Sequence, residues 1–238
     1  MTEFVFDVDG TLTLSRQEID KDFSSWFQKF AKNNNIYFVT GSDRDKTIEQ
    51  LTEEVYNLAV CSYQCNGSAV YEKDKLVYKS DWELPDEVWK HLERFLNVSK
   101  WGMLTGYHFD TRPGLCNFSV LGRNANIQQR KEYHQWDSDV SERKNIAFSL
   151  NYYFGEKYNL EAVVSGETGI DIFPKGGDKS QILRDLNRED IIFFGDRTFK
   201  GGNDHSLARL LSTKQVHQVN DWRETWEILK TLTSDSPQ

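Results

Sequence analysis

The chain has 238 residues, which is enough for one large domain or two modest ones, each with its own core. Hydrophobic residues make up 38% and charged residues 28%, an ordinary globular composition. The formal net charge of -8 argues against a nucleic-acid-binding protein, which usually carries a basic surface. A local group of arginines can still bind an anionic substrate on such a chain.

The sequence also argues against secreted, membrane and zinc proteins. No apolar run approaches the length that spans a membrane, and the first ten residues do not resemble a signal peptide. The three cysteines, Cys61, Cys65 and Cys116, form no CxxC pair, and no HExxH motif occurs. We therefore expect reduced thiols in a cytoplasmic protein that binds no membrane and no nucleic acid.

The first part of the chain alternates strands and helices. A buried strand over 3–6 is followed by a helix whose apolar face runs over 19–30. A second strand covers 36–39, and a second helix covers about 45–56. This alternation predicts parallel strands and an α/β fold.

The middle of the chain shows a different pattern, which predicts an inserted α+β module. Residues 68–79 alternate as a hairpin, and Pro85 opens a helix. The remaining elements predicted for the module are strands at 114–122, 160–164 and 168–173, and helices at 124–136 and 145–158.

The α/β pattern then resumes. A helix capped by Asp178, a strand at 191–194 and a helix capped by Asn203 that extends to Leu211 are followed by a short strand from Val216 and a final helix. The predicted organisation is a parallel-sheet α/β core of residues 1–79 and 177–238, with an α+β cap of residues 80–176 inserted into it.

Polar side chains follow three of the predicted core strands. Asp7 and Asp9 follow the first strand, Thr40 and Ser42 the second, and Asp196 the third. Ligands of open α/β sheets bind beyond the carboxyl ends of the strands, so we expect these groups to converge. Clustered carboxylates without His or Cys favour Mg²⁺, which gives Asp7, Asp9 and Asp196 as predicted metal ligands.

These residue types also predict phosphoryl transfer. Asp7 is the candidate nucleophile towards phosphorus, and Asp9 the candidate general acid and base. Lys179 would neutralise charge on the nucleophile and the phosphoryl oxygens. Thr40, Gly41 and Ser42 would hold the transferred group. Taken singly, Asp-Val-Asp-Gly could be a solvated turn and Lys179 a solvated lysine at a helix start.

Motifs in a fixed order then give a family resemblance. Asp7-Val8-Asp9-Gly10-Thr11 resembles the first motif, DxDGT, of the haloacid dehalogenase superfamily. Thr40 stands at the second motif, Lys179 at the third, and Gly195-Asp196 with Asn203-Asp204 at the fourth. The resemblance implies a Rossmann-like core with an inserted cap, and a phospho-aspartate intermediate formed with Mg²⁺.

Longer segments resemble the eukaryotic-type phosphomannomutases within that superfamily. They are DGTLTLSRQEI at 9–19, RPGLCNFSVLGRNANIQQR at 112–130, GIDIFPKGGDK at 169–179 and FFGDRTFKGGNDH at 193–205. The resemblance covers nearly the whole chain and implies that Arg16, Arg112, Arg123 and Arg130 bind the substrate phosphate, that Asp171 contacts sugar hydroxyls, and that the protein dimerises through its cap. Arginine suits this task because its planar fork binds phosphate through two hydrogen bonds.

The chain departs from the family pattern at three places. Gly169 stands where the family usually has Ser, and Thr40 where it often has Gly. Residues 206–212 lack the carboxylates of a second cation-binding loop.

The predicted function is interconversion of mannose 6-phosphate and mannose 1-phosphate through a hexose 1,6-bisphosphate. The alternative is a Mg²⁺-dependent sugar-phosphate phosphatase that uses the same carboxylates. A third reading, a silent sugar-phosphate-binding protein, conflicts with the intact set of Asp7, Asp9, Lys179 and Asp196. A P-loop enzyme and a dinucleotide enzyme are disfavoured because neither GxxxxGK[ST] nor GxGxxG occurs in the required place.

Overall fold

A computed structural model describes residues 2–234. The chain forms two compact units. The first contains the described residues up to Lys79 and those from Asp178 onward, and the second is Ser80–Gly177. These bounds lie within one residue of those expected for the core and the cap.

The described residues form strands and helices with the following bounds. The strands are β1 Glu3–Phe6, β2 Asn35–Val39, β3 Cys61–Gln64, β4 Ala69–Glu72, β5 Lys75–Lys79, β6 Phe109–Arg112, β7 Leu115–Phe118, β8 Leu160–Ser165, β9 Gly169–Pro174, β10 Ile191–Gly195 and β11 Val216–Gln218. The α-helices are α1 Lys21–Ala31, α2 Arg44–Tyr56, α3 Asp86–Val98, α4 Ile127–Val140, α5 Glu142–Phe154, α6 His205–Ala208 and α7 Trp222–Ser234.

The first unit is built on a seven-stranded sheet in the order β11-β10-β1-β2-β3-β4-β5. The first five strands in that order run parallel, and the β4–β5 hairpin continues the sheet antiparallel. Phe6 is in register with Phe38 on one side and Phe194 on the other, so β10, β1 and β2 end together. The predicted α/β class and the hairpin are confirmed.

Both faces of this sheet are covered, which explains the continuous apolar runs of its central strands. Phe4 and Phe6 point into one hydrophobic cluster, whereas Val5 between them points into another. Helix α1 begins at Asp20, whose carboxylate accepts hydrogen bonds from the amides of Asp22 and Phe23. The buried phenylalanines of α1 join the first cluster.

The second unit contains a four-stranded antiparallel sheet in the order β6-β7-β9-β8. Its core joins apolar residues of α3, α4 and α5 with those of β7, β8 and β9. In α4, Asn126 and Gln129 form a capping box, which places the start of this helix at Ile127 rather than at the predicted residue 124. Helix α5 begins at Glu142 and ends before Gly155, earlier than the predicted 145–158.

Two predicted helices of the first unit were wrong in type or extent. The segment after Asp178 is a 3₁₀ helix, Lys179–Arg184, whose three-residue period turns both Lys179 and Ile182 inward. The helix expected to begin at Asn203 has Asp204 before its first residue and covers only His205–Ala208, so Leu210 and Leu211 lie outside it. Strands β3 and β6 were not predicted.

Within residues 2–234, none of the helices combines the length and the apolar character needed to cross a bilayer.

Candidate active site

Lys179 joins two buried carboxylates at the carboxyl edge of the first unit's sheet. Asp7 follows β1 directly, and its amide donates to the carbonyl of Phe194 on β10 at 2.9 Å. The Lys179 ammonium pairs with Asp7 Oδ1 and donates to Asp204 Oδ1 at 2.6 Å. Lys179 and Asp204 are completely buried, and Asp7 is 2% exposed. The three charged groups are therefore held by one another inside the protein.

The carboxylates of Asp7, Asp196 and Asp204 form the group of the described residues that is suited to a cation. One oxygen of each lies within 4.8 Å of the others. An all-oxygen donor set of this kind fits Mg²⁺ better than a metal that prefers nitrogen or sulfur. Asp7 and Asp196 belong to the predicted set, whereas Asp204 was not predicted as a ligand.

The electrostatics of this group also fit a cation. Burial raises the pKa of Asp7 to about 7 despite the neighbouring ammonium, and Asp204 adds to the effect. Burial and the charge of Asp204 raise the pKa of Asp196 to about 6. Burial disfavours the charged form of Lys179, but Asp204 and Asp7 outweigh it and raise its pKa. Without a cation, the charged forms of Asp7 and Asp196 are therefore disfavoured.

Two glycines allow the close approach of these groups. Gly10 has φ +81°, and a Cβ there would lie 2.4 Å from Asp196 Oδ2. A Cβ on Gly195 would lie 2.6 Å from Asp204 Oδ2. Any larger residue at either position would push a carboxylate out of the group.

Asp9 lies outside that group, and its carboxylate is held by neighbours on α2 and the following loop. Oδ1 accepts from the backbone amide of Arg16 at 2.9 Å and from Gln50 Nε2 at 3.0 Å. Oδ2 accepts from Ser42 Oγ at 3.5 Å and lies 3.9 Å from Lys46 Nζ. Partial burial opposes ionisation, but the Arg16 hydrogen bond and the charge of Lys46 lower the pKa of Asp9. Its roles as metal ligand and proton donor stay predictions.

The loop that follows Asp7 is fastened to the C-terminal helix. Thr225 Oγ1 on α7 donates to the carbonyl of Thr11 at 2.7 Å, and both residues are fully buried. Thr11 Oγ1 in turn lies 3.5 Å from Asp7 Oδ2. Helix α7 therefore helps to hold the loop that carries the candidate nucleophile.

The Thr40-Gly41-Ser42 turn after β2 is fixed through its backbone. Thr40 Oγ1 accepts from the amide of Ser42 at 3.1 Å, and the carbonyl of Thr40 accepts from the amide of Asn66 at 2.8 Å. Ser42 Oγ accepts from Lys46 Nζ at 3.0 Å. The turn stands at the same sheet edge as Asp7, and its contact with a phosphoryl group stays a prediction.

Arg16 differs from the other predicted arginines because its backbone contributes as well. Its φ is +60°, a left-handed conformation that presents its amide to Asp9. Its exposed side chain lines a cavity of about 540 Å³ together with Lys46 and Gln50. Glu18 and Glu49 also line this cavity, so its two cationic side chains are matched by two carboxylates.

In the second unit, three of the predicted substrate residues belong to one hydrogen-bonded cluster. Arg112 and Arg123 both bind Asp110 Oδ2, at 2.7 and 3.0 Å. Arg123 also donates to Asn117 Oδ1 at 3.0 Å, and Asn117 Nδ2 donates to Asp171 Oδ1 at 2.6 Å. Strands β6, β7 and β9, together with Arg123 in the loop after β7, thereby present two guanidinium groups beside two carboxylates.

Arg130 makes different contacts. It lies on α4, and its Nε pairs with Glu167 at 3.3 Å. The side chain of Arg130 is 21% exposed and that of Glu167 is 54% exposed, so the pair lies at the surface of the second unit.

Gly169 makes room for the amide of Asn117. A Cβ at Gly169 would lie 2.5 Å from Asn117 Nδ2 and 2.9 Å from Asn117 Oδ1. The departure from the family's usual Ser at this position therefore goes with an Asn117 side chain that fills the space.

The sequence interpretation gave no role to Gln50, Asp110 or Asn117. Gln50 follows Asp43, Lys46 and Thr47 by seven, four and three residues. This spacing places all four residues on one face of α2, so the sequence could have indicated that Gln50 faces the same side as Asp43. Asp110 and Arg112 are two residues apart on one strand and so share a face. Asp204 was recognised only as part of the fourth motif, and nothing in the sequence indicated that it would pair with Lys179.

Three comparisons relate the chain to known proteins. A family model described as eukaryotic phosphomannomutase matches residues 23–234. A phosphomannomutase of Solanum lycopersicum is 33% identical over 232 residues, which is 93% of this chain and 90% of that one. One of Saccharomyces cerevisiae is 32% identical over 242 residues, or 97% and 94% of the two chains.

Among solved structures, a haloacid dehalogenase-like hydrolase of Bacteroides thetaiotaomicron superposes with a TM-score of 0.61 at 14% identity. The alignment covers 97% of this chain and 99% of that one. At this identity the likeness concerns the fold alone, and it agrees with the two-unit architecture described above.

Proposed function

The chain belongs to the eukaryotic phosphomannomutase family, and on this premise we propose that it interconverts mannose 6-phosphate and mannose 1-phosphate. The observation that carries the proposal is the buried group of Asp7, Lys179 and Asp204, with Asp196 beside it. A carboxylate fixed at a strand end, next to an ammonium and a cation-binding set, is suited to nucleophilic attack on phosphorus.

In the proposed reaction, an Asp7 oxygen attacks the phosphorus of a hexose 1,6-bisphosphate. The bond between phosphorus and the sugar oxygen breaks, and Asp9 donates a proton to that oxygen. In the second half, Asp9 takes a proton from a hydroxyl of the hexose monophosphate, the oxygen of that hydroxyl attacks the phosphorus on Asp7, and the bond between phosphorus and Asp7 breaks to regenerate the carboxylate. Lys179 stabilises the negative charge around Asp7 throughout.

We propose Mg²⁺ as the cation. Asp7 and Asp196, with Asp204 beside them, would hold it, and the predicted participation of Asp9 is part of the same proposal. When bound, Mg²⁺ neutralises charge on the phosphoryl oxygens.

Arg112 and Arg123 are proposed to bind the phosphate that does not react, with Arg130 and Arg16 as further cationic contacts. Both Arg112 and Arg123 are held in place by Asp110, which preorganises their guanidinium groups. Asp171, held by Asn117, is proposed to accept from sugar hydroxyls.

The proposal is tested by following mannose 1-phosphate with purified enzyme and Mg²⁺, with and without a hexose 1,6-bisphosphate. A mutase gives mannose 6-phosphate, and the bisphosphate shortens the lag because it loads Asp7. The parallel assay with glucose 1-phosphate measures the preference between the two sugars.

The second candidate is a sugar-phosphate phosphatase with the same Asp7 and Asp9. Thr40 and Gly169, both departures from the family pattern, favour it. Release of inorganic phosphate without any isomer would support this candidate and reject the mutase.

We further propose that the protein acts as a homodimer formed through the second unit. Phe148, Tyr152 and Tyr153 of α5 are 70%, 72% and 62% exposed in the single chain, which supports an apolar contact there. The mass of the protein in solution, measured by light scattering, tests this. The free thiols of Cys61, Cys65 and Cys116 support a reducing, cytoplasmic location.

A further inference from the structure

Gln50 is a buried residue of α2 that contacts the loop around Asp9 at three points. Its Nε2 donates to Asp9 Oδ1 at 3.0 Å and to Thr13 Oγ1 at 3.1 Å. Its backbone carbonyl accepts from the amide of Ile19 at 2.8 Å. The side chain is 3% exposed, and the two acceptors fix which end of the amide faces Asp9.

The other end of the same amide is unsatisfied. Gln50 Oε1 is buried without a hydrogen-bond partner. Burying such an acceptor costs free energy that a leucine or methionine of similar length would not lose. Stability therefore gives a poor account of glutamine at this position, whereas a donor aimed at Asp9 accounts for it.

The hydrogen bonds to Asp9 distinguish its two oxygens. Oδ1 receives both short bonds, from Gln50 and from the backbone of Arg16. Oδ2 makes longer contacts, at 3.5 Å with Ser42 and 3.9 Å with Lys46, and the side chain of Ser15 also hydrogen-bonds to the carboxylate. Oδ1 is thus anchored, and Oδ2 is the oxygen better able to exchange a proton.

We propose that Gln50 is the positioning residue that aims Asp9, so that Oδ2 exchanges the proton with the sugar oxygen. This rests on the proposed function, in which Asp9 is the proton donor. As the bond between phosphorus and the sugar oxygen breaks and the phosphorus bonds to Asp7, the proton moves from Asp9 Oδ2 to the leaving oxygen. The reverse transfer returns it.

The inference is tested by the dependence of the Gln50→Leu variant on the leaving group. During turnover of mannose 1-phosphate the leaving group is a basic sugar oxygen, which needs the proton, whereas dinitrophenyl phosphate loses a stable phenolate, which does not. We expect kcat for mannose 1-phosphate to fall by about 10- to 100-fold with KM nearly unchanged. The burst rate of dinitrophenolate release, which reports transfer to Asp7 before the phospho-enzyme is hydrolysed, should change by less than about threefold.

Two further variants control for folding. Gln50→Met keeps the length of the side chain and also removes the donor, so it should show the same selective loss if Gln50→Leu folds poorly. Gln28→Leu makes the same chemical change on α1, where Gln28 donates to Ser24 Oγ at 3.4 Å, and should leave both rates unchanged.

Equal losses with both substrates would overturn the inference, because they indicate a general disturbance of the site. No loss with either substrate would overturn it as well. A wild-type enzyme that hydrolyses mannose 1-phosphate without isomerising it would reject the mutase. The Gln50 test would stand, because hydrolysis needs the same protonation.

Discussion

Lys179 Nζ lies 2.6 Å from Asp204 Oδ1, and neither side chain has any exposed surface. The same ammonium is paired with Asp7, and Asp196 is close by. Three carboxylates and one ammonium leave two net negative charges, which a single divalent cation balances. This charge balance is the basis of the proposed chemistry.

Replacing Lys179 by methionine should strongly destabilise the metal-free protein. Two buried carboxylates would lose their common partner, and breaking buried pairs of this kind costs about 3–5 kcal/mol. Urea unfolding of the EDTA-treated protein measures the change in the free energy of unfolding. Lys230→Met, which removes an exposed pair with Glu227, should have a much smaller effect. Similar losses in the two variants would contradict this account of Lys179.

Metal binding should release protons near neutral pH. The pKa values in the folded state are about 7 for Asp7 and about 6 for Asp196, whereas the ordinary value is 3.8. Between pH 3.8 and these raised values, the metal-free folded state therefore holds more protons than the unfolded state. These two groups therefore make the metal-free protein less stable as pH rises from about 4 to 7.

Calorimetry of Mg²⁺ binding at pH 6.5, in buffers with different ionisation enthalpies, counts the released protons. We expect the observed enthalpy to depend on the buffer, and to depend less on it at pH 8.5, where the carboxylates are already ionised. Buffer-independent heats at both pH values would show that the carboxylates carry no excess protons.

Thr225→Val should lower both stability and catalytic rate. The change keeps the shape of the side chain but leaves the buried carbonyl of Thr11 without the 2.7 Å hydrogen bond. An unsatisfied buried carbonyl costs about 1–3 kcal/mol. The control, Thr225→Ser, retains the hydroxyl and should keep the wild-type kcat. If Thr225→Val and Thr225→Ser had the same kcat, the hydrogen bond would not be what holds the nucleophile loop.

Gly169→Ser should weaken sugar-phosphate binding, although the family usually has Ser there. The new Cβ would lie 2.5 Å from Asn117 Nδ2 and displace the amide that holds Asp171 and Arg123. We expect KM for mannose 1-phosphate to rise by about tenfold, because one or two hydrogen bonds to charged groups would be lost. A control substitution in the same unit, Gly102→Ser, meets open space in the structure and should leave KM unchanged. A lower KM in Gly169→Ser would mean that a serine hydroxyl binds substrate better than the present arrangement.

The convergence of Asp7 and Asp196 could be predicted because it depends on strand order and local apolar runs, whereas Lys179 was assigned to the site from the order of the motifs. A parallel sheet with short, fully buried strands leaves little freedom in where its carboxyl ends point. The β4–β5 hairpin was also predictable, because the alternation of apolar and polar residues along its strands is a local signal.

The contacts of individual carboxylates could not be predicted, because they depend on side-chain packing between distant segments. Asp204 was expected within a helix capped by Asn203. Instead, its carboxylate accepts hydrogen bonds from the Lys179 ammonium and, at 3.0 Å, from the amide of Arg197. The 3₁₀ form of Lys179–Arg184 has a similar cause. Gln181 and Arg184 donate to the carbonyls of Asn66 and Gly67, at 2.8 and 2.7 Å, and so hold the segment against that turn.

The most direct test is to locate the phosphoryl group on the enzyme. The protein is mixed with Mg²⁺ and a hexose 1,6-bisphosphate, quenched in acid within milliseconds and measured by intact and peptide mass spectrometry. We predict one acid-stable, base-labile phosphoryl group on the peptide that contains Asp7, and none in Asp7→Asn, which should also lose turnover by several orders of magnitude. Turnover by Asp7→Asn at the wild-type rate, or a phosphoryl group on another residue, would contradict a phospho-aspartate at Asp7.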